Sequence, residues 1–250
     1  MCWGSNCCGQ LGDNTVGDNM SVSRRVPGPV LNLPEPAAQL ALGYAHACAR
    51  TASGNVWCWG RNIEGQLGDG TSIQRLMPVM ILTGVSSLAA GGNHTCAVLT
   101  TGGLTCWGDN GRGQLGDGTR TNRPQPGGVI GLGSGVLAVG AGREHTCAVL
   151  VGGSLKCWGW NAQGELGDGS LVDRLTPVTV ASSASFASVT AGLEYTCALT
   201  TSGGAMCWGA NPYGQLGSGS VSGGTIKAHP AVWNSGMKTR IESPVRTPQR

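Results

Sequence analysis

Cys106-Trp107-Gly108-Asp109-Asn110-Gly111-Arg112-Gly113-Gln114-Leu115-Gly116 is one of five copies of a single pattern, Cys-Trp-Gly-x-Asn-x-x-Gly-x-Leu-Gly. The other copies start at Cys2, Cys58, Cys157 and Cys207. Their tryptophans (Trp3, Trp59, Trp107, Trp158 and Trp208) lie 56, 48, 51 and 50 residues apart. A period of roughly 50 residues marks units that stack or radiate, because one unit alone cannot bury its apolar face. Working outward from the copy at Cys106, Ser86–Gly92 reads as a strand of small residues. His94–Leu99 is a second strand, Thr100-Thr101-Gly102-Gly103 a turn, Leu104–Gly108 a third strand, and Pro126–Leu132 a weak edge strand. Gly, Asp and Pro bound each segment, and no stretch keeps a helical apolar period. Four short strands per repeat is the pattern of a propeller blade.

The composition agrees. The 250 residues include 44 Gly and eight Trp but a single Phe, Phe186, and only 12% are charged. Glycine at this frequency suits tight turns, and no Gly-x-y triplet persists as in collagen. No apolar run is long enough to span a bilayer, and no signal-peptide pattern opens the chain. The net charge of +3 is unevenly placed. Residues 221–250 hold five basic groups and one acid, Glu242, whereas the first 220 residues contain a single lysine, Lys156. Nucleic-acid binding draws on clustered Lys and Arg facing phosphates, and the repeat body lacks that composition.

The run from Gly-x-x-His-Thr-Cys-Ala through Cys-Trp-Gly-x-Asn-x-x-Gly-Gln-Leu-Gly-Asp-Gly-Thr to a later Pro-Val closely resembles the regulator of chromosome condensation repeat. The resemblance covers residues 1 to about 220 and implies a β-propeller, in that family often seven-bladed. The expected architecture is all-β, with a partial blade at about 1–35 and blades at about 38–82, 86–132, 136–180 and 186–220. Seven blades would need roughly 350 residues at this period, so the chain reads as a fragment of a longer propeller. Residues 221–250 do not match the repeat and read as a disordered basic tail. An open propeller leaves unpaired edges, which invites self-association.

Eight of the eleven cysteines form pairs ten residues apart: Cys48/Cys58, Cys96/Cys106, Cys147/Cys157 and Cys197/Cys207. A three-residue hairpin loop centred on Ser53, Thr101, Gly152 or Ser202 sets each pair directly opposite. A two-residue loop would shift the register and separate the sulfurs. One disulfide per blade and an oxidising compartment follow, each bridge contributing at most about 2–3 kcal/mol because its loop is short. The competing reading is a set of small buried hydrophobes in a reduced cytoplasmic protein. Zinc is a weaker alternative, since no Cys-x-x-Cys occurs and each blade offers two ligands where four are usual. Cys2 has no partner ten residues earlier, and Cys7 and Cys8 are adjacent.

Several recurrent residues invite catalytic or metal roles. His46, His94 and His145 each precede a paired cysteine by two positions, with Tyr195 at the equivalent site of the last repeat. A side chain that hydrogen-bonds a neighbouring turn and fixes the blade explains them better than a metal site. Asp69-Gly70, Asp117-Gly118 and Asp168-Gly169 supply one acid per repeat, whereas calcium takes six to eight oxygens. They read as turns. The motif tryptophans read as interblade packing. Trp57 and Trp160 occur in one repeat each, and with Tyr213, Arg143 and Glu144 they are the expected partner contacts, because a scaffold's specificity lies in its varied positions.

No nucleophile–base motif, P-loop or His-Glu-x-x-His occurs, so no catalytic residue, metal or cofactor is expected. The leading expectation is a non-catalytic protein-binding scaffold, extracellular, periplasmic or on the cell surface. One alternative is a secreted enzyme inhibitor, for which Trp57, Trp160 and Tyr213 would supply the aromatic face. Another is a guanine nucleotide exchange factor for a small GTPase, as the resemblance implies, but the cysteine pairs and the scarcity of lysine argue against it. In the family's plant ultraviolet receptors a Trp precedes the His-Thr pair. Ala45, Asn93 and Glu144 stand there in this chain.

Overall fold

A computed structural model describes residues 1–17, 23–219, 221 and 227–233, the last seven as backbone. Among the described residues there is no helix, and the strands form four four-stranded sheets and one two-stranded sheet. The two-stranded sheet pairs β1 (Cys2–Ser5) with β2 (Ser23–Gly28). The first complete blade holds β3 (Ala37–Leu42), β4 (His46–Thr51), β5 (Val56–Gly60) and β6 (Arg75–Leu82). The second holds β7 (Val85–Ala90), β8 (His94–Leu99), β9 (Leu104–Gly108) and β10 (Arg123–Gly128). The third holds β11 (Val136–Ala141), β12 (His145–Leu150), β13 (Leu155–Gly159) and β14 (Arg174–Thr179), and the fourth β15 (Phe186–Ala191), β16 (Tyr195–Thr200), β17 (Ala205–Gly209) and β18 (Lys227–Trp233). Strands follow chain order within every complete sheet. The first strands touch one another from blade to blade, β3 with β7, β7 with β11 and β11 with β15, so the blades radiate from them.

The central hairpins take the register that their three-residue loops require. Leu99 N–H donates to Gly103 O at 2.8 Å, which makes Val98↔Leu104 and Cys96↔Cys106 non-hydrogen-bonded pairs. The equivalent pairs Cys48↔Cys58, Cys147↔Cys157 and Cys197↔Cys207 are also direct register partners. The fourth strand of the second blade runs over Arg123–Gly128, earlier than the sequence suggests. Its Pro124 and Pro126 are tolerated because it is an edge strand. Val129 and Leu132 instead turn inward and are buried.

Side chains alternate across each sheet, so one face of a blade meets the next blade and the other meets the preceding one. Cys48, Cys58 and Leu67 of the first blade form one core with Ala97 and Trp107 of the second. Cys96, Cys106 and Leu115 do the same with Ala148 and Trp158, and Cys147, Cys157 and Leu166 with Ala198 and Trp208. Trp107, Trp158 and Trp208 thus lie on the preceding blade's cysteine pair, and Trp59 packs beside Cys2. Gly116 explains the invariable glycine that ends the motif. A Cβ there would stand 2.7 Å from Trp158 Nε1, and the residue's φ is +69°.

β1 and β2 carry the sequence of a third and a fourth strand, so the chain opens in mid-blade. Trp59, Trp107, Trp158 and Trp208 are fully buried, whereas Trp3 is 62% exposed because among the described residues no sheet lies against it. At the other end, residues 227–233 fall in the stretch read as an unmatched tail, yet they pair with β17 as the last blade's fourth strand. Apart from Val221, the rest of that tail lies outside the described residues.

Candidate functional site

The long turn after each third strand is built around the motif asparagine. Asn110 is fully buried. Its Oδ1 accepts Leu115 N–H at 3.0 Å. Its Nδ2 donates to Asp117 Oδ1, Thr119 O and Thr121 O. Asn62 and Asn161 repeat this set. The recurrent aspartates are therefore turn elements. Asp117 Oδ1 accepts Thr119 N–H and Oγ1–H, and Oδ2 pairs with Arg123. Burial alone would raise the Asp117 pKa, but the Thr119 and Arg123 hydrogen bonds outweigh it and hold the group at about 2. The arginines escaped the sequence reading although their signal is present. Arg75, Arg123 and Arg174 each follow their aspartate by six residues and pair with it.

The histidines join blades. His46, His94 and His145 place Nε2 at 3.0, 2.9 and 2.9 Å from Thr95, Thr146 and Thr196 Oγ1 of the following blade. Their partner is a strand threonine rather than the turn that the sequence suggests. Each threonine hydroxyl donates onward to the main-chain oxygen of Gln66, Gln114 or Glu165. That same oxygen accepts the indole N–H of Trp107, Trp158 or Trp208. Burial lowers the imidazole pKa to about 4 for His46 and His145 and about 3 for His94. Space for the ring requires glycine opposite, since a Cβ on Gly91 would come 2.2 Å from His94 Cε1. Tyr195 takes the same place beside Gly192 in the last blade.

Above this shared frame, the residues that differ between repeats gather on one rim. The residue before a motif asparagine, the turn before the histidine of its own blade, and the residue two after the motif asparagine of the preceding blade come together there. In the third blade Trp160 is half-buried and its N–H donates to Glu144 O at 2.9 Å. The Arg112 guanidinium carbon lies 5.6 Å from the Trp160 ring centre and that of Arg143 6.0 Å, within cation–π range. Arg112 also pairs with Glu144 at 3.7 Å and Asp173 at 3.8 Å, and Arg143 with Glu194 at 3.7 Å. Trp160, Arg143 and Glu144 are thus brought together with Arg112, Asp173 and Glu194. Tyr213 is 91% exposed on the equivalent turn of the next blade. Trp57 is not brought to them. It is half-buried in β5, opposite Ala49 and Met80 in the first blade.

Under this rim lies Glu165, where the other repeats have Gln10, Gln66, Gln114 and Gln215. Its Oε2 accepts Gln163 N–H at 2.9 Å, while Oε1 is buried without a partner. Burial, reinforced by the charges of Glu194 and Asp173, raises its pKa to about 7.

Four cysteine pairs lie at disulfide distance, with Cα atoms 4.0–4.1 Å apart. The first three pairs are fully buried. Cys197 and Cys207 are half-buried, because no later blade covers them among the described residues. Cys2, Cys7 and Cys8 are unpaired and half-buried.

A family model described as an RCC1-like domain matches residues 1–247. The ultraviolet-B receptor UVR8 of Arabidopsis thaliana is 36% identical over 184 residues, 72% of this chain and 30% of the receptor. The probable E3 ubiquitin-protein ligase HERC4 of Homo sapiens is 31% identical over 186 residues, 72% of this chain and 17% of the ligase. The chain therefore spans less than a third of either relative. Among solved structures, human WBSCR16 matches with a TM-score of 0.80 at 25% identity, over 90% of this chain and 60% of that one. Prp20p of Saccharomyces cerevisiae, whose structure was described together with its binding to Gsp1p and histones, matches with a TM-score of 0.73 at 22% identity, over 94% and 59%. The second likeness concerns the fold alone.

Proposed function

The chain belongs to the RCC1-like domain family, and on that premise we propose that it is a non-catalytic protein-binding scaffold of an oxidising compartment, outside the cell or at its surface. The observation that carries the binding role is the Trp160 cluster. An aromatic ring flanked by Arg112 and Arg143 on a rim of varied residues has the composition of an interface hot spot. The surrounding acids, Glu144, Asp173 and Glu194, lie within ion-pair distance of the two guanidiniums and bias them toward the ring, which lowers the ordering cost when a partner docks. Tyr213 extends the contact toward the last blade. The cysteine pairs support the compartment, since four cross-strand pairs at disulfide distance are not a feature of reduced cytosolic proteins. The interior residues that recur in every blade serve this face by fixing its height and pitch.

The test is affinity capture from the extracellular fraction of the source with oxidised chain immobilised, followed by titration of the captured protein. Trp160→Ala and Arg143→Glu should each weaken binding by at least about tenfold with no change in melting temperature. A partner bound equally by wild type and both variants would place the interface elsewhere.

A further inference from the structure

Cys7 and Cys8 fill, in the first repeat, the positions of Ile63-Glu64, Gly111-Arg112, Ala162-Gln163 and Pro212-Tyr213 in the others. They sit in the turn that leaves β1, and its frame is the one common to all repeats. Asn6 Oδ1 accepts Leu11 N–H at 3.1 Å, and Cys8 N–H donates to Gln10 Oε1 at 2.9 Å. In that frame the two sulfurs stand 3.0 Å apart. Gln10 Nε2 donates to Cys7 Sγ at 3.7 Å. Both thiols are half-exposed. The Cys7 sulfur thus accepts from Gln10, is open to solvent, and is touched by a second thiol. That is the environment of a reactive thiol with a resolving partner. Cys2 stands apart, in an apolar cavity of about 290 Å³ with Trp3, Leu40 and Leu42.

We propose that Cys7 and Cys8 are a redox-active vicinal pair whose substrates are low-molecular-weight disulfides, with Cys7 attacking and Cys8 resolving. The Cys7 thiolate attacks one sulfur of the substrate disulfide. Its S–S bond breaks, a bond to Cys7 forms, and one thiolate leaves. Cys8 then gives its proton to solvent and attacks the Cys7 sulfur. The mixed disulfide breaks, the Cys7–Cys8 bond closes, and the second thiolate leaves. Two electrons pass from the cysteine pair to the substrate, which is released as two thiols.

The electrostatics agree with this division of roles. The hydrogen bond from Cys8, opposed by burial and assisted by Gln10, Ser5 and the Arg61 charge, lowers the Cys7 pKa. Burial raises that of Cys8 to about 11, together with its hydrogen bond to Cys7 and the Cys7 charge. Once Cys7 is held in a mixed disulfide its charge and that hydrogen bond are gone, and Cys8 loses its proton more readily.

The native chain, treated with a reductant at a dose that leaves all four cross-strand pairs, Cys197/Cys207 included, oxidised, and then desalted, is mixed with oxidised glutathione near neutral pH. Released glutathione is counted, and the tryptic peptide ending at Arg24 is analysed by mass spectrometry. Wild type should release two glutathione thiols per chain and acquire a bond confined to Cys7 and Cys8. Cys8→Ser should release one and keep the other on Cys7. Cys7→Ser should react at least about tenfold more slowly, and Cys2→Ser should match wild type. A lasting glutathione adduct on wild type, a bond reaching Cys2, or a Cys7→Ser variant as fast as wild type would overturn the proposal.

Discussion

His94 Nε2 and Thr146 Oγ1 stand 2.9 Å apart across the boundary between the second and third blades. The Thr146 hydroxyl donates its only proton to Gln114 O, also at 2.9 Å, so the imidazole must be the donor and carries its proton on Nε2. Thr146→Val keeps the shape of the side chain but strands that buried N–H. It should cost about 1–3 kcal/mol in urea unfolding of the oxidised protein. A change below about 0.5 kcal/mol would show that the histidine–threonine bridge does not hold blades together.

Neutral imidazoles make the fold acid-sensitive. Burial lowers His46, His94 and His145 to about 4, 3 and 4, below their ordinary value of 6.5. Below pH 6.5 the unfolded chain binds protons at these sites while the folded chain does not, so stability falls with pH. Their contribution is complete above pH 6.5 and is lost as pH drops toward 4–3. In an NMR titration the three rings should be neutral at pH 6.5 and titrate only with midpoints at about 4, 3 and 4. Protonation of any of them near 6.5 would contradict the buried, donor-only role.

Glu165 has the opposite sign. Its carboxyl is raised to about 7 from 4.5, so between these values the folded state holds a proton that the unfolded state has lost. Stability therefore falls as pH rises from 4.5 to 7 and stays lower above that. Glu165→Gln restores the residue of the other repeats and should stabilise the chain by about 3 kcal/mol at pH 8, with little effect at pH 4.5. Equal effects at both pH values would mean that burial of the charge is not the cause.

Exposure separates the cysteine pairs. Cys48/Cys58, Cys96/Cys106 and Cys147/Cys157 are sealed under the next blade's tryptophan, whereas Cys197 and Cys207 are half-buried. In native protein exposed to a graded thiol reductant, Cys197 and Cys207 should be the first of these eight to become alkylated, because access governs exchange. Simultaneous loss of all four pairs would instead indicate global unfolding.

The recurrent parts of this molecule were legible because each recurs with a physical reason. The ten-residue cysteine spacing defines a hairpin register, and the Leu-Gly that ends the motif leaves room for the next blade's tryptophan. The relations between repeats were not legible. Nothing in the order His-Thr-Cys reveals that His94 bonds Thr146 rather than its own blade, since that pairing depends on how sheets stack. The rim was half legible. Trp160, Arg112, Arg143 and Glu144 all vary between repeats and stand out in the sequence for that, but both arginines reach one ring only because the turn at 109–113 meets the turn at 142–144. Trp57 varies just as Trp160 does and still falls within a sheet, because strand alternation decides its position. The strand at 227–233 lacks the repeat's signature, since an outer edge strand pairs through its backbone and demands little of its side chains.

The account depends most on the oxidised state of the cross-strand cysteines, and peptide mapping of denatured, unreduced, alkylated protein tests it directly. Four links are predicted, each joining cysteines ten residues apart, with all eight of those thiols protected from alkylation. Recovery of these eight as alkylated thiols would contradict the oxidising compartment and return the pairs to the role of small buried hydrophobes.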